Sequence, residues 1–169
     1  DVVVVGGGDT AMDCVRTAIR QKAKSVTCLY RRDRANMPGS QREVANAEEE
    51  GVVFKWLSAP QAFLGDNHVR AVQAQKIHLG QPDATGRQVP QIIEDSSHEI
   101  PADLVIKALG FDPEDIPTMF GAPELEVSKW GTIGVDWRTM MTNLPGVFAA
   151  GDIVRGASLV VWGVRDGRD

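Results

Sequence analysis

The sequence has 169 residues, and 43% of them are apolar, which is enough for a buried core in one domain or slightly more. Its 18 Lys and Arg against 23 Asp and Glu give a net charge of -5, so we expect no nucleic-acid partner. No apolar run approaches the roughly 18 to 20 residues of a membrane helix, and the start carries no signal-peptide pattern. We therefore expect a globular, cytoplasmic protein with no membrane partner.

The cysteines and histidines show no pattern of a metal or catalytic centre. Cys14 and Cys28 fall in a helix pattern and a strand pattern without C-x-x-C spacing, so we interpret them as reduced core residues rather than metal ligands. His68, His78 and His98 lie far along the chain from the first motif and have no partner that suggests a dyad. The sequence predicts no metal site and no acid–base catalytic residue.

Strand and helix patterns alternate in the first third of the chain. Val2–Val5 is a β-branched run typical of a buried parallel strand, and a helical pattern then continues as far as Lys22, with Asp9 or Thr10 able to cap it. A second strand is predicted at 25–30, followed by a helix that begins at the capping box of Ser40 and ends near Gly51, and by a strand at 52–56. This β-α-β-α-β order predicts parallel strands, whose ligands lie beyond the carboxyl ends.

The pattern changes after residue 60. Extended segments at 69–79 and 88–94, joined by a turn-rich loop at 80–86, predict an antiparallel excursion, and 103–110 is interpreted as a return strand to the main sheet. Prolines then mark a linker. Short strands are expected at 132–135 and 146–150, and a helix is expected to begin near Ser158.

A glycine-rich turn follows the first strand. Gly6, Gly8 and Ala11 form the G-x-G-x-x-A fingerprint of a dinucleotide site, between a predicted strand and a predicted helix. The first glycine permits the tight turn, the second admits a pyrophosphate against bare backbone, and the alanine allows close helix packing. The alternative, an incidental glycine turn, is less favoured in this context.

The end of the second strand carries arginines where a site for NAD would carry an acid. Tyr30 lies 22 positions after Gly8, so Arg31 and Arg32 stand at the position that contacts the adenosine ribose. A guanidinium binds a 2′-phosphate, whereas a carboxylate repels it, so we predict NADPH rather than NADH. Simple solvation of these arginines at a strand end is the alternative, and the role of Arg34 is left open.

Several longer strings occur together with the glycine turn. They are YRRDRANMP at 30–38, AEEEGV at 47–52, IKALGFDPE at 106–114 and VFAAGD at 147–152. With them the whole chain resembles the two-dinucleotide-binding flavoproteins that include the small (β) subunit of NADPH-dependent glutamate synthase. In that family an NADPH domain is inserted into an FAD domain.

The resemblance implies an α/β fold with a three-layer Rossmann-like NADPH domain, a central parallel sheet and an antiparallel β excursion. Residues 1–112 are then the NADPH domain, 113–130 a linker and 131–169 a partial C-terminal segment of the FAD domain. The implied NADPH contacts are Gly6, Gly8, Asp9 and Thr10 at the pyrophosphate, Arg31 and Arg32 at the 2′-phosphate, and Ala108, Gly110 and Phe111 on the nicotinamide side.

The same resemblance implies an FAD-binding half-site near the end of the sequence. Gly151 and Asp152 are implied FAD contacts, and a carboxylate after an apolar strand is chemically suited to a ribitol hydroxyl. An ordinary Asp at a helix start is the alternative reading. Ser158, Leu159 and Val160 are expected to present backbone N–H groups to the flavin's pyrimidine edge.

Two features of the family are missing from this sequence. The leading FAD fingerprint and the cysteine-rich segment that holds iron–sulfur clusters are both expected before residue 1. We therefore expect this fragment to bind NADPH, to be inactive alone, and to cover its exposed apolar segments by repacking or self-association, unless they are disordered.

The function implied by the resemblance is hydride transfer from NADPH to FAD. The electrons then serve the glutamate synthase large subunit, the implied partner, which converts glutamine and 2-oxoglutarate to glutamate. Two alternatives stay open: a related flavoprotein subunit of the ferredoxin-NADP transhydrogenase or sulfide dehydrogenase type, and a non-catalytic NADP(H)-binding module.

Overall fold

In the computed structural model, which describes residues 1–82, 86 and 88–168, the chain divides into units Asp1–Leu109 and Gly110–Asp169. The first unit contains two helices and eight strands, and the second contains three short helices among the residues described. In chain order the elements are β1 Val2–Val5, α1 Asp9–Arg20, β2 Val26–Leu29, α2 Gln41–Glu49, β3 Val53–Lys55, β4 Ser58–Leu64, β5 Ala71–Pro82, β6 Gln88–Ile92, β7 His98–Pro101, β8 Leu104–Lys107, α3 Ile116–Met119, α4 Asp152–Arg155 and α5 Val160–Arg168.

A parallel sheet with strand order β3-β2-β1-β8 lies at the centre of the first unit. Val2 of β1 is in register with Val26 of β2 on one side and with Leu104 of β8 on the other. The predicted β-α-β-α-β order and the return strand are both confirmed. This topology brings the carboxyl ends of β1, β2 and β8 to the same edge of the sheet.

Alternation along β1 separates the two faces of this sheet. Val2 and Val4 pack with the buried face of α1, including Met12 and Val15, because alternate side chains of a strand point to opposite faces. Val3 and Val5 instead pack against residues of the second sheet, such as Val72. The first unit is therefore a three-layer α/β structure of helices, parallel sheet and antiparallel sheet, which confirms the predicted class.

The antiparallel excursion is larger than the sequence predicted. It has the order β4-β5-β6, in which β6 pairs with β5 from Ile77 onwards, and β7 pairs with the first part of β5, from Ala71 to Ala74. We missed β4 and β7, because Pro60 interrupts the first pattern with a register shift and the second is only four residues long. Residues 83–85 of the predicted 80–86 loop lie outside the described residues.

The N-caps of α1 and α2 differ from those that the sequence predicted. The N-cap of α1 is Gly8, without a side-chain cap, so neither Asp9 nor Thr10 caps the helix. Ser40 is the N-cap of α2, but its hydroxyl makes no capping bond, and the Glu43 carboxylate accepts from Arg16 of α1 instead. A charge-assisted bond between the two helices replaces the local capping box, since such bonds are the stronger kind.

The second unit has less regular structure. Its buried cluster consists of Leu125, Ile133, Met140 and Val154. In place of the strands predicted at 132–135 and 146–150, the described residues form the isolated bridges Val127–Ile133 and Met141–Phe148. Residues 113–130, predicted as a linker, contain α3 and contribute Leu125, Ile116 and Ala122 to this cluster.

Within the described part of the chain, no helix has both the length and the apolar character needed to cross a bilayer.

Candidate functional site

The glycine turn between β1 and α1 is shaped by two close contacts and one open face. Gly6 has a φ of +150°, and a Cβ there would lie 2.2 Å from the carbonyl oxygen of Ala108. A Cβ on Gly7 would lie 2.3 Å from the ring of Tyr30, whereas a Cβ on Gly8 would meet nothing within 4 Å. The first two glycines are therefore required for packing, and the third faces free space.

The free space at Gly8 lies at the start of α1, a helix of 12 residues. The first N–H groups of a helix have no acceptor within the helix, and the helix dipole favours negative charge at this end. Thr10 is exposed there and has a hydroxyl donor. Bare backbone, open space and a helix N-terminus together fit a pyrophosphate group.

Residues 31–40, which we call the arginine loop, follow β2 and have an ordered conformation. The Tyr30 hydroxyl donates to the carbonyl of Asn36 at 3.1 Å, and Asp33 Oδ1 accepts from the backbone N–H and side-chain amide of Asn36. Met37 is buried in the helix-side core. The loop is therefore held by its own polar bonds and by one apolar anchor.

The end of the arginine loop is bound to the glycine turn. The Gly39 N–H donates to the Gly7 carbonyl at 2.9 Å, and the Ser40 N–H donates to Asp9 Oδ1 at 2.8 Å. A Cβ on Gly39 would lie 3.1 Å from the Gly7 carbonyl oxygen, a tight contact that a small shift would relieve. Sequence reasoning missed the roles of Gly7, Gly39 and Tyr30, because each depends on contact with a residue distant in the chain.

The three arginines of the loop have different environments. Arg34 Nη1 donates to both carboxylate oxygens of Glu48 in α2, at 2.7 and 2.6 Å. Within the described residues, the side chains of Arg31 and Arg32 have no ion-pair partner, and Arg32 Nε is buried without an acceptor. An anion beside β2 therefore has two guanidinium groups available to it, and the third is committed to α2.

The predicted nicotinamide-side residues fall on both sides of the boundary between the units. Ala108 is nearly buried, and its N–H donates to the Val5 carbonyl at 2.8 Å, which places it beside Gly6. Gly110, with a φ of +91°, and Phe111, which is 97% exposed, begin the second unit. Only Ala108 belongs to the glycine-turn site as the structure describes it.

The predicted flavin residues lie at α4 and α5 in the second unit. Gly151 has a φ of +82° and is the N-cap of α4, and Asp152 Oδ1 accepts from the Ser158 N–H at 3.2 Å. Leu159 and Val160, at the start of α5, are exposed. The structure thus joins Asp152 and Ser158 directly, and the Ser158 N–H already has an acceptor.

Sequence reasoning missed one polar cluster in the second unit. Arg155 donates to both carboxylate oxygens of Asp166, at 2.5 and 2.6 Å, and its guanidinium lies 4.9 Å from the Trp137 ring centroid and 5.6 Å from that of Trp162. The hydrogen bond from Arg155 lowers the pKa of Asp166. No local spacing links these positions, so the sequence alone contained no signal for them.

Ionisable groups of the first unit have structural explanations. Hydrogen bonds from Arg16 and Arg20 lower the pKa of Glu50 to about 2, and burial raises the pKa of Cys28 to about 12. The Cys28 thiol faces the Gly6 carbonyl at 3.5 Å, and both cysteines are free thiols. Among the described residues no three His, Cys, Asp or Glu side chains lie together as a metal site.

Residues 1–167 match the family model described as pyridine nucleotide-disulphide oxidoreductase. The chain belongs to this oxidoreductase family.

Within the pyridine nucleotide-disulphide oxidoreductases, the chain resembles glutamate synthase small chains. It is 71% identical to a putative glutamate synthase (NADPH) small chain of Cereibacter sphaeroides, over 99% of this chain and 41% of that protein. It is 72% identical to the glutamate synthase (NADPH) small chain of Azospirillum brasilense, over 99% of this chain and 35% of that protein. The predicted resemblance is confirmed, and the chain spans well under half the length of these curated relatives.

A solved structure of the same fold is the thioredoxin reductase of Lactococcus lactis. It superposes with a TM-score of 0.76 at 25% identity, over 98% of this chain and 48% of the reductase chain. The oxidoreductase fold therefore extends over both units of this chain.

Proposed function

We propose that this chain binds NADPH at the glycine turn and the arginine loop, as part of a flavoprotein oxidoreductase that passes hydride from NADPH to FAD. The observation that carries the proposal is the pairing of open backbone at Gly8 with two arginines, Arg31 and Arg32, that have no ion-pair partner among the described residues. Both features lie at the carboxyl edge of the parallel sheet, where ligands of such sheets bind.

Each part of the dinucleotide matches a part of this edge. The pyrophosphate accepts from backbone N–H groups at the start of α1, around Gly8, Asp9 and Thr10. The adenosine 2′-phosphate lies by Arg31 and Arg32, since guanidinium groups bind phosphate oxygens in a bidentate manner.

The remaining predicted contacts belong to the nicotinamide and the flavin. We propose that Ala108, Gly110 and Phe111 lie along the nicotinamide side, and that Gly151, Asp152, Leu159 and Val160 contact FAD. The Ser158 N–H is instead taken by Asp152. When both cofactors are bound, the nicotinamide supplies a hydride that the flavin accepts, and no acid–base residue is required for that transfer. This chain's contribution is binding and orientation.

We further propose that the electrons serve a glutamate synthase large subunit, where glutamine and 2-oxoglutarate give glutamate. The names and 71–72% identities of the two small-chain relatives support this partner. We place the protein in the cytoplasm, because its two cysteines are free thiols and thiols stay reduced there.

The proposal is tested by titrating the chain with NADPH and with NADH, by calorimetry, in wild type and in Arg31→Ala, Arg32→Ala and Arg34→Ala. We expect wild type to prefer NADPH. Each of the first two variants is expected to lose about tenfold to hundredfold in NADPH affinity, because a hydrogen bond to a charged group contributes about 1.5–3 kcal/mol. Their NADH affinity is expected to stay unchanged.

Arg34→Ala is the matched control, because it removes the same charge from the same loop but from a side chain bound to Glu48. It is expected to keep the preference for NADPH. Equal affinities for the two nucleotides in wild type would contradict the proposed cofactor, and equal effects of all three substitutions would contradict the specific role of Arg31 and Arg32.

A further inference from the structure

We infer that Asp9 is a positioning residue, which sets the preference for NADPH over NADH by holding the arginine loop against the glycine turn. The inference rests on the proposed function. It differs from the pyrophosphate contact that the sequence predicted for Asp9, because it assigns the carboxylate to the protein rather than to the nucleotide.

The Asp9 carboxylate is already committed within the protein. Its Oδ1 accepts from the Ser40 N–H at 2.8 Å, across 31 positions of sequence. An ionised carboxylate has only acceptors, so the side chain has no proton to donate to a pyrophosphate oxygen. At this position the backbone N–H remains suited to the nucleotide, whereas the side chain acts on the loop.

The Asp9–Ser40 bond holds the arginine loop at its last residue. Ser40 is both the last residue of the loop and the N-cap of α2, and Asp9 is the first residue of α1. The Asp9 carboxylate therefore joins the N-terminal ends of the two helices. Because negative charge is stabilised at a helix N-terminus, the bond is reinforced by both helix dipoles.

The loop is consequently fixed at both ends. At its start, the Tyr30 N–H donates to Lys55 of β3 and the Tyr30 carbonyl accepts from Ser58. At its end, Gly39 binds Gly7 and Ser40 binds Asp9. Arg31 and Arg32 are thereby held at a set separation from Gly8, which suits a ligand that contacts both places at once.

Loss of the Asp9 bond is expected to change selectivity more than folding. The Gly39–Gly7 backbone bond and the buried Met37 still hold the loop, so it loosens rather than detaches. NADH needs only the glycine turn, whereas NADPH also needs the arginines in place. The ratio of the two dissociation constants therefore reports the position of the loop, and the electrostatic effect of Asp9 on the shared pyrophosphate cancels from it.

The test measures this ratio by calorimetry in wild type, Asp9→Ala, Asp9→Asn and Asp13→Ala. Asp9→Asn keeps an acceptor oxygen for the Ser40 N–H, and Asp13→Ala removes an exposed carboxylate one turn further along α1. We expect Asp9→Ala to lower the preference for NADPH on the order of tenfold. Asp9→Asn, whose neutral amide oxygen still accepts from Ser40, is expected to lose clearly less, and Asp13→Ala is expected to stay near the wild-type value.

The outcomes separate the inference from the function on which it rests. A wild-type chain without preference for NADPH contradicts the proposed function. A wild-type preference that Asp9→Ala leaves unchanged, or a loss of affinity for both nucleotides by the same factor, overturns the positioning role. A preference lost equally in Asp9→Asn overturns it as well, because the charge rather than the bond would then be responsible. Circular dichroism of each variant verifies that it is folded.

Discussion

The two units differ in how their apolar side chains are used. In the first unit, β1 is buried on both faces, and residues such as Met12, Val15 and Val72 are fully enclosed. In the second unit four of the described residues form the buried apolar cluster, while large apolar side chains such as Phe111 and Val160 are 97% and 82% exposed. Because burial of apolar area is the main favourable term in folding, we expect the first unit to be the more stable one.

The difference also concerns how the proposed binding residues are supported. The glycine turn and the arginine loop stand at strand ends whose registers are fixed by continuous ladders. The proposed flavin contacts stand on a four-residue helix and at the start of a nine-residue helix. The proposed site of the first unit is thus preorganised. The exposed apolar side chains of the second unit suit further contacts, including the self-association predicted from the sequence.

The largest expected effect comes from truncating matched core methionines. Met12→Ala is expected to lower the free energy of unfolding by about 2–5 kcal/mol, because it opens a cavity among fully enclosed side chains. Met140→Ala in the second unit is expected to cost less, since a small cluster relaxes more readily. Urea unfolding combined with segment-resolved hydrogen exchange measures both. Equal losses would contradict the proposed difference in packing.

Substitutions of two neighbouring glycines in the turn are expected to affect different properties, stability for Gly7 and nucleotide binding for Gly8. Gly7→Ala places a methyl group against the Tyr30 ring and is expected to cost about 1–3 kcal/mol of unfolding free energy. Gly8→Ala meets open space and is expected to cost less than about 1 kcal/mol, mainly through the poorer N-cap. It should nevertheless weaken binding of NADPH and NADH alike. Urea unfolding and calorimetry measure the two effects, and a destabilising Gly8→Ala with normal binding would reverse the assignment.

A smaller and local effect is expected in the second unit. Asp166→Asn removes the charged acceptor of Arg155, and we expect several-fold faster hydrogen exchange in α4 and α5 with no change in the first unit. Asp112→Asn, which removes the same charge from an exposed position of the second unit, is the control. Unchanged exchange in Asp166→Asn would show that the Arg155 bond does not hold α5.

The smallest expected effect is a pH dependence in the first unit. The pKa of Glu50 is lowered from 4.5 to about 2 in the folded state, so its contribution to stability is complete above pH 4.5 and is lost as the pH falls towards 2. Glu50→Gln should therefore be destabilising at pH 6 and nearly neutral at pH 2. Urea midpoints at the two values test this, and an equal effect at both would remove the ionic explanation.

The fold of the first unit could be predicted from the sequence because its signals are local. The Val2–Val5 run, the glycine turn and the helical periodicity each lie within a few residues, and right-handed crossovers then determine the strand order. The strands β4 and β7 escaped prediction because proline, short length and polar residues weaken the pattern. In the second unit, bridges such as Met141–Phe148 depend on tertiary contacts alone.

In the candidate site, too, local patterns could be predicted from the sequence and long-range contacts could not. Arg31 and Arg32 were found from their distance to the glycine motif, which is a local rule. The commitment of Arg34 to Glu48, the Gly39–Gly7 bond and the Asp9–Ser40 bond join residues 14 to 32 positions apart. Sequence reasoning therefore proposes residues for nucleotide contact more readily than it finds the residues that hold them in place.

The buried thiol of Cys28 has a practical consequence for following this fold. The Cys28 side chain, on β2, is fully buried, and burial raises the pKa of its thiol to about 12. At neutral pH a thiol-alkylating reagent therefore finds neither an accessible sulfur nor a thiolate. Modification of Cys28 then requires the parallel sheet to open. The rate of Cys28 modification, measured by mass spectrometry of the peptide that contains Cys28, therefore reports how often the sheet opens. No label has to be introduced for this measurement.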